Sequence, residues 1–235
     1  MTKKIIGVYF DFFGTLIDSR YAITNIWSRV TKRLGMNIEY DDPRIWAGVQ
    51  KQWEEYEKLA DKAGKKYINL SREEWDELNS VVLDTMGIKS EGAAEIVNEE
   101  FNKNFLKVYR LYPGCRETLK QIKAKDIRIG LLTHASRERG QQKMKELKIF
   151  EFFDIFIHTQ EFGYNKSNIE VYQIALGAMA PNDPDKIFHV GDDIDFDVKM
   201  AQKIGMIPIL FDPYNRHSLK DVRVIRELPE ILTFF

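Results

Sequence analysis

The chain has 235 residues, enough to bury a substantial core as one large domain or two small ones, and its 35 Lys and Arg are balanced by 36 Asp and Glu. That balance leaves no net field to recruit nucleic acid or an anionic membrane, so any affinity for phosphate has to be local. A single cysteine, Cys115, excludes an intramolecular disulfide framework and a thiolate zinc cluster, and no apolar stretch approaches the roughly 18 residues of a membrane span; a soluble, cytoplasmic protein is expected.

The chain opens on Lys3-Lys4 and an apolar run over residues 5–10, which reads as a strand covered on both faces that delivers Asp11 to its C-terminal end. A carboxylate buried there costs several kcal/mol if ionised and unpaired, so a cation is expected beside it. Asp11 is the candidate nucleophile. The plainer alternative is an Asp that caps a turn, with Gly14 and Thr15 as ordinary turn residues.

Residues 19–106 carry helical periodicity and almost no strand signal. Ile23, Ile26, Trp27, Val30 and Leu34 share one face, and Ile45, Val49, Trp53 and Tyr56 share another. Ser71-Arg72-Glu73-Glu74 has capping-box form ahead of Trp75, Leu78, Val81 and Val82, and Gly87 stands where that helix should stop. Val97, Phe101 and Phe105 suggest a further helix. These stripes read as core packing and carry no substrate signature.

From Pro113-Gly114 onward, short apolar strands alternate with helical segments, the signature of a parallel sheet built from βαβ units. Strands are predicted over 127–133, 153–159, 187–190 and 207–211, and helices over 115–125, 136–147, 168–179 and 196–205. Cys115 reads as a small hydrophobe at a helix start. The first strand belongs with this set by composition. The helical block then reads as an insertion, giving a discontinuous α/β domain over 1–18 and 107–235, a helical domain over 19–106, and hinges near 18 and 107.

In a doubly wound sheet, ligands bind beyond the carboxyl ends of the strands. Those ends carry Asp11, then Thr133-His134, then a loop with Lys166, then Gly191-Asp192-Asp193-Ile194-Asp195-Phe196-Asp197. So many carboxylates facing Asp11 would repel strongly without a cation among them, and Mg²⁺ suits Asp11 and Asp192. Asp193 and Asp195 read equally well as acids complementing a helix start. Lys166 has the type of an ordinary surface lysine, but in a strand-end loop it can neutralise Asp11 and a phosphate together. Thr133 either caps the next helix or holds phosphate oxygens with nearby N–H groups.

Together, Asp11-Phe12-Phe13-Gly14-Thr15, Thr133, Lys166 and Gly191-Asp192 through Asp197 resemble the motifs of the haloacid dehalogenase superfamily, and the helical insertion resembles its C1-type cap. The resemblance implies an α/β, doubly wound Rossmann-like core with an inserted all-helical cap. It implies a Mg²⁺-dependent phosphohydrolase that acts on a small phosphorylated metabolite, a phosphate ester or acyl phosphate, through an aspartyl-phosphate on Asp11. The Mg²⁺ ligands would be Asp11, Asp192 and the backbone carbonyl of Phe13, supported by Asp197. Thr133 and Lys166 would bind the transferring phosphoryl group, with Thr15 and His134 as further substrate contacts. No nucleic acid or membrane partner is implied, and the protein would be a monomer or homodimer.

Two positions depart from the family pattern. Phe13 stands where most of the family's phosphatases carry a second Asp as general acid; His134, then a cap residue, is the candidate substitute. The family's 2-haloacid dehalogenases also lack that Asp, because halide leaves without a proton, but they use no metal and receive halide with a cap Arg, for which Arg44 lies in a plausible region. A phosphate-binding regulatory protein without turnover is a third reading. Ser167 follows Lys166 where the family usually has Pro.

Overall fold

The computed structural model describes residues 4–64, 70–89, 91–104, 107–164, 166–179 and 183–235. Lys3, Phe105 and residue 106, used above, lie outside the described residues. The chain divides into two compact units, Met1–Asp18 with Arg110–Phe235, and Ser19–Tyr109.

The first unit opens with strand β1 (Gly7–Phe10), every residue of which is buried, as its unbroken apolar run requires. In the second unit, helices α1 (Ser19–Arg33), α2 (Pro43–Lys62), α3 (Arg72–Thr85) and α4 (Ala93–Asn104) enclose a core that includes Trp27, Ile45, Val49, Val82 and Val97. The capping box forms: Ser71 Oγ accepts from Glu74 N at 3.2 Å, and Ser71 N donates to Glu74 Oε2 at 2.7 Å. Gly87 ends α3 at φ +77°, a conformation that costs glycine little. Trp53 and Trp75 depart from the expected stripes, being 44% and 37% exposed. Their rings instead flank the buried Tyr56, Trp75 stacked on it at 5.9 Å and Trp53 edge-on at 5.6 Å.

The first unit resumes with α5 (Cys115–Ala124), β2 (Arg128–Thr133), α6 (Arg137–Glu146), β3 (Ile155–His158), α7 (Ile169–Ala178), β4 (Ile187–Gly191), α8 (Lys199–Lys203), β5 (Ile207–Phe211) and β6 (Arg223–Ile225). The six strands form one parallel sheet in the order β3-β2-β1-β4-β5-β6, the doubly wound arrangement. Cys115 is the first residue of α5 and is buried, and burial pushes its thiol up to about 12, so it is an inert hydrophobe.

The helix expected over 196–205 begins differently. Asp193 accepts hydrogen bonds from Asp195 N at 2.7 Å and Phe196 N at 2.8 Å, and a π-helical turn runs over Ile194–Val198 before α8. Val198 N donates back to Asp193 O at 3.2 Å, the wider ring of a π turn. That turn carries Asp197 back over the end of β4.

Candidate active site

The strand order reverses between β1 and β4, and the crevice beyond their carboxyl ends is where a doubly wound sheet binds ligands. Asp11 follows β1 directly, Asp192 follows β4, and Asp197 sits in the π turn. One oxygen from each of these three carboxylates lies within 4.8 Å of the others.

Two glycines permit that convergence. Gly14 holds φ at +90°, and a Cβ there would overlap the Asp192 carboxylate; a Cβ on Gly191 would overlap the carboxylate of Asp197. Thr15, fully buried, donates from Oγ1 to Asp192 Oδ1 at 3.2 Å. Gly191→Ala is therefore expected to swing Asp197 out of place and cost at least ~10²-fold in turnover, given how strongly small misplacements at reacting groups act. The check is kcat beside a circular-dichroism melt showing a folded protein.

The expected cation is Lys166. Its side chain is 3% exposed, and Nζ donates to Asp11 Oδ1 and, at 2.8 Å, to Asp197 Oδ1. Burial alone would depress this ammonium, but Asp11 and Asp197 outweigh it and hold its pKa well above the usual value. Ser167 in place of Pro does not displace it. Asp197 shows the mirror case: burial opposes its ionisation, yet Lys166 and His189 overcome that and keep it well below the ordinary carboxylate range.

Among the described residues, Lys166 is the ammonium hydrogen-bonded to this cluster, and its single charge cannot balance three carboxylates. Burial pushes Asp11 up to about 6 against the pull of Lys166, and burial followed by repulsion from Asp11 and Asp197 pushes Asp192 up to about 8. An all-oxygen donor set with surplus negative charge fits a hard divalent cation, so Asp11, Asp192 and Asp197 pass the chemical test for one.

The haloacid dehalogenase-like hydrolase model matches residues 7–205, spanning all of these positions. The chain belongs to the haloacid dehalogenase-like hydrolase family. Among similar proteins, a glyceraldehyde 3-phosphate phosphatase of Methanocaldococcus jannaschii is 27% identical over 203 residues, covering 86% of this chain and 83% of its own. A phosphorylated carbohydrates phosphatase of Thermotoga maritima is 26% identical over 223 residues, covering 94% and 90%. The magnesium-bound structure of YfnB from Bacillus subtilis superposes with a TM-score of 0.74 at 16% identity over 98% of each chain, a likeness of fold.

In this haloacid dehalogenase-like hydrolase the other candidate residues divide. Thr133 is buried at the end of β2, its Oγ1 accepting from Ala135 N at 3.1 Å. His134 Nε2 accepts from Lys166 N at 3.4 Å, and its Nδ1 lies 3.0 Å from Thr159 Oγ1. Burial, then Lys166, pushes His134 down to about 4. A neutral ring engaged at both nitrogens holds the Lys166 loop and is poorly suited to be the substitute acid. Asp193 caps the π turn, and Asp195 pairs with Lys199 at 2.7 Å, so both serve the turn. Arg44 is bound to its neighbour Asp42, with Nη2 2.8 Å from Oδ2.

Sequence reasoning passed over two buried residues. His189 Nε2 lies 3.0 Å from Asp197 Oδ1, and the Tyr172 hydroxyl donates to the carbonyl of Phe196. The signal available for His189 was a polar residue inside an otherwise apolar strand, two positions before Gly191-Asp192. Tyr172 offered none. Among the described residues, no helix is long and apolar enough to cross a membrane.

Proposed function

We propose that this hydrolase is a Mg²⁺-dependent phosphohydrolase acting on a small phosphorylated metabolite, with Ser19–Tyr109 as its cap. The observation that carries the reading is the meeting of Asp11, Asp192 and Asp197 around one point, with Lys166 bridging Asp11 and Asp197. The names of the relatives, phosphatases of glyceraldehyde 3-phosphate and of phosphorylated carbohydrates, support the substrate class.

Asp11 attacks phosphorus through a carboxylate oxygen; the new O–P bond forms as the bond to the leaving oxygen breaks, giving an aspartyl-phosphate. Water then attacks that phosphorus, releasing inorganic phosphate and restoring the carboxylate. Lys166 and the Thr133 hydroxyl hold the phosphoryl oxygens in line, and Thr15 fixes Asp192. Magnesium held by Asp11, Asp192 and the Phe13 carbonyl, with Asp197 bonded to it directly or through water, would supply charge neutralisation for those oxygens.

Phe13 favours a second reading, metal-independent dehalogenation, since halide needs no acid. The two separate on p-nitrophenyl phosphate, acetyl phosphate, glyceraldehyde 3-phosphate and L-2-chloropropionate, each with and without Mg²⁺. Metal-dependent phosphate release is expected. Chloride release without metal establishes the dehalogenase, and phosphate binding with no turnover establishes a regulatory protein.

The metal claim has an equilibrium test. Asp192 is held up to about 8 in the folded protein against an ordinary 3.8, so between those values the folded state keeps a proton that the unfolded chain releases. Stability without metal is therefore expected to fall as pH rises from about 4 to about 8, by up to about 1.4 kcal/mol per pH unit for one such group. Saturating Mg²⁺ replaces the proton and flattens the slope. Urea melts at pH 5 and pH 8, in EDTA and in Mg²⁺, check this; a flat profile in EDTA contradicts it.

A further inference from the structure

We infer that His189 is a positioning residue for the reaction, an inference that rests on the phosphohydrolase reading: its Nε2–H fixes Asp197, which in turn aims Lys166 at Asp11. His189 lies inside β4 with no exposed surface. Its Nε2 is 3.0 Å from Asp197 Oδ1 and 3.5 Å from the Tyr172 hydroxyl, while Nδ1 has no hydrogen-bond partner among the described residues.

The proton's place follows from the partners. An ionised carboxylate only accepts, and Tyr172 spends its hydrogen on the carbonyl of Phe196, so both atoms facing Nε2 are acceptors. Nδ1 meets no partner, and a buried bare lone pair is better tolerated than an orphaned N–H. Both points select the neutral Nε2–H tautomer.

Asp197 is thereby held by three donors. Oδ1 takes donors from His189 and Lys166, and Oδ2 takes Asp193 N at 3.2 Å. The chain of contacts runs from His189 to Asp197, from Asp197 to Lys166, and from Lys166 to Asp11. Tyr172 holds the preceding residue of the π turn through Phe196 O and packs edge-on against the imidazole with centroids 5.3 Å apart. His189 and Tyr172 thus grip the turn from behind, where neither can touch a substrate.

The test pairs two variants with a spectrum. His189→Leu keeps bulk and removes the donor; His189→Gln restores an N–H at the reach of Nε2. With Mg²⁺ and p-nitrophenyl phosphate, the Leu variant is expected to lose about 10- to 100-fold in kcat with a smaller change in KM, and the Gln variant to recover most of it. A folded Leu variant within twofold of wild type overturns the proposal, as does a folded Gln variant as impaired as Leu. Long-range ¹H–¹⁵N spectra of histidine-labelled wild type should show His189 as the Nε2–H tautomer, with or without Mg²⁺; an Nδ1–H form overturns the proposal even if neither variant folds. A wild type that releases no phosphate overturns the phosphohydrolase reading itself, and the tautomer then decides on the His189–Asp197 contact separately.

Discussion

Replacing Asp11 with Asn is expected to lower kcat for phosphate release by at least ~10⁴-fold while leaving the protein folded, in line with the loss seen when a nucleophile is removed from other hydrolases. The amide matches the carboxylate in shape but is a poor nucleophile and carries no charge. Its stability consequence is less obvious and more diagnostic. Asp11 shares Lys166 with Asp197, and burial already pushes it up to about 6. Without metal, burial penalises its charge more than Lys166 offsets, while Lys166 keeps Asp197 at 2.8 Å when Asp11 is gone. The Asn variant should therefore melt no lower than wild type in EDTA, and it should gain less from added Mg²⁺ because a ligand is missing. Wild-type turnover by this variant would remove Asp11 as nucleophile. A variant that fails to fold in EDTA would instead make the Lys166–Asp11 contact the dominant stabilising term.

The sheet was legible in the sequence because parallel strands are buried on both faces, and an unbroken apolar run such as Val8-Tyr9-Phe10 leaves no other economical arrangement. The capping box at Ser71 was legible because both of its hydrogen bonds are local, and Gly87 because a helix end has a backbone requirement. β6 was not: three residues beginning with an exposed Arg223 carry no periodicity, and only pairing with β5 makes them a strand. Nor was the π turn, since over five residues a hydrophobic pattern cannot distinguish four-residue from five-residue rings.

That same turn explains why the site was only partly visible. Asp11 and Asp192 are legible as polar groups at strand ends, and Lys166 and Asp197 only as members of the segments that follow strands. The partnership of His189 with Asp197 depends on the chain doubling back over its own strand, a tertiary fact. Gly191 could be read as part of a motif, but its reason, the space taken by the Asp197 carboxylate, needed coordinates.

Phe13→Asp is expected to raise turnover of alkyl phosphates such as glyceraldehyde 3-phosphate by ~10²-fold or more, the lower end of what general acid–base assistance supplies. Phe13 is half-buried, its ring edge-on to Phe12 at 5.0 Å and its backbone bridged to Ile17, so it occupies a fixed place two residues past Asp11. A carboxyl introduced there enters a neighbourhood already rich in negative charge, which raises its pKa and keeps a proton available for the leaving oxygen. The gain should track the leaving group. Acetyl phosphate and p-nitrophenyl phosphate expel anions stable enough to depart unprotonated, so their rates should change only a few-fold, and the ratio of alkyl to acyl phosphate turnover is the quantity to measure. An equal rise on every substrate would mean that removing the ring opened the pocket rather than supplied an acid. An unchanged alkyl phosphate rate in a folded variant would mean that another group already protonates the leaving oxygen, a task for which His134, neutral and bound to the Lys166 loop, is a weak candidate.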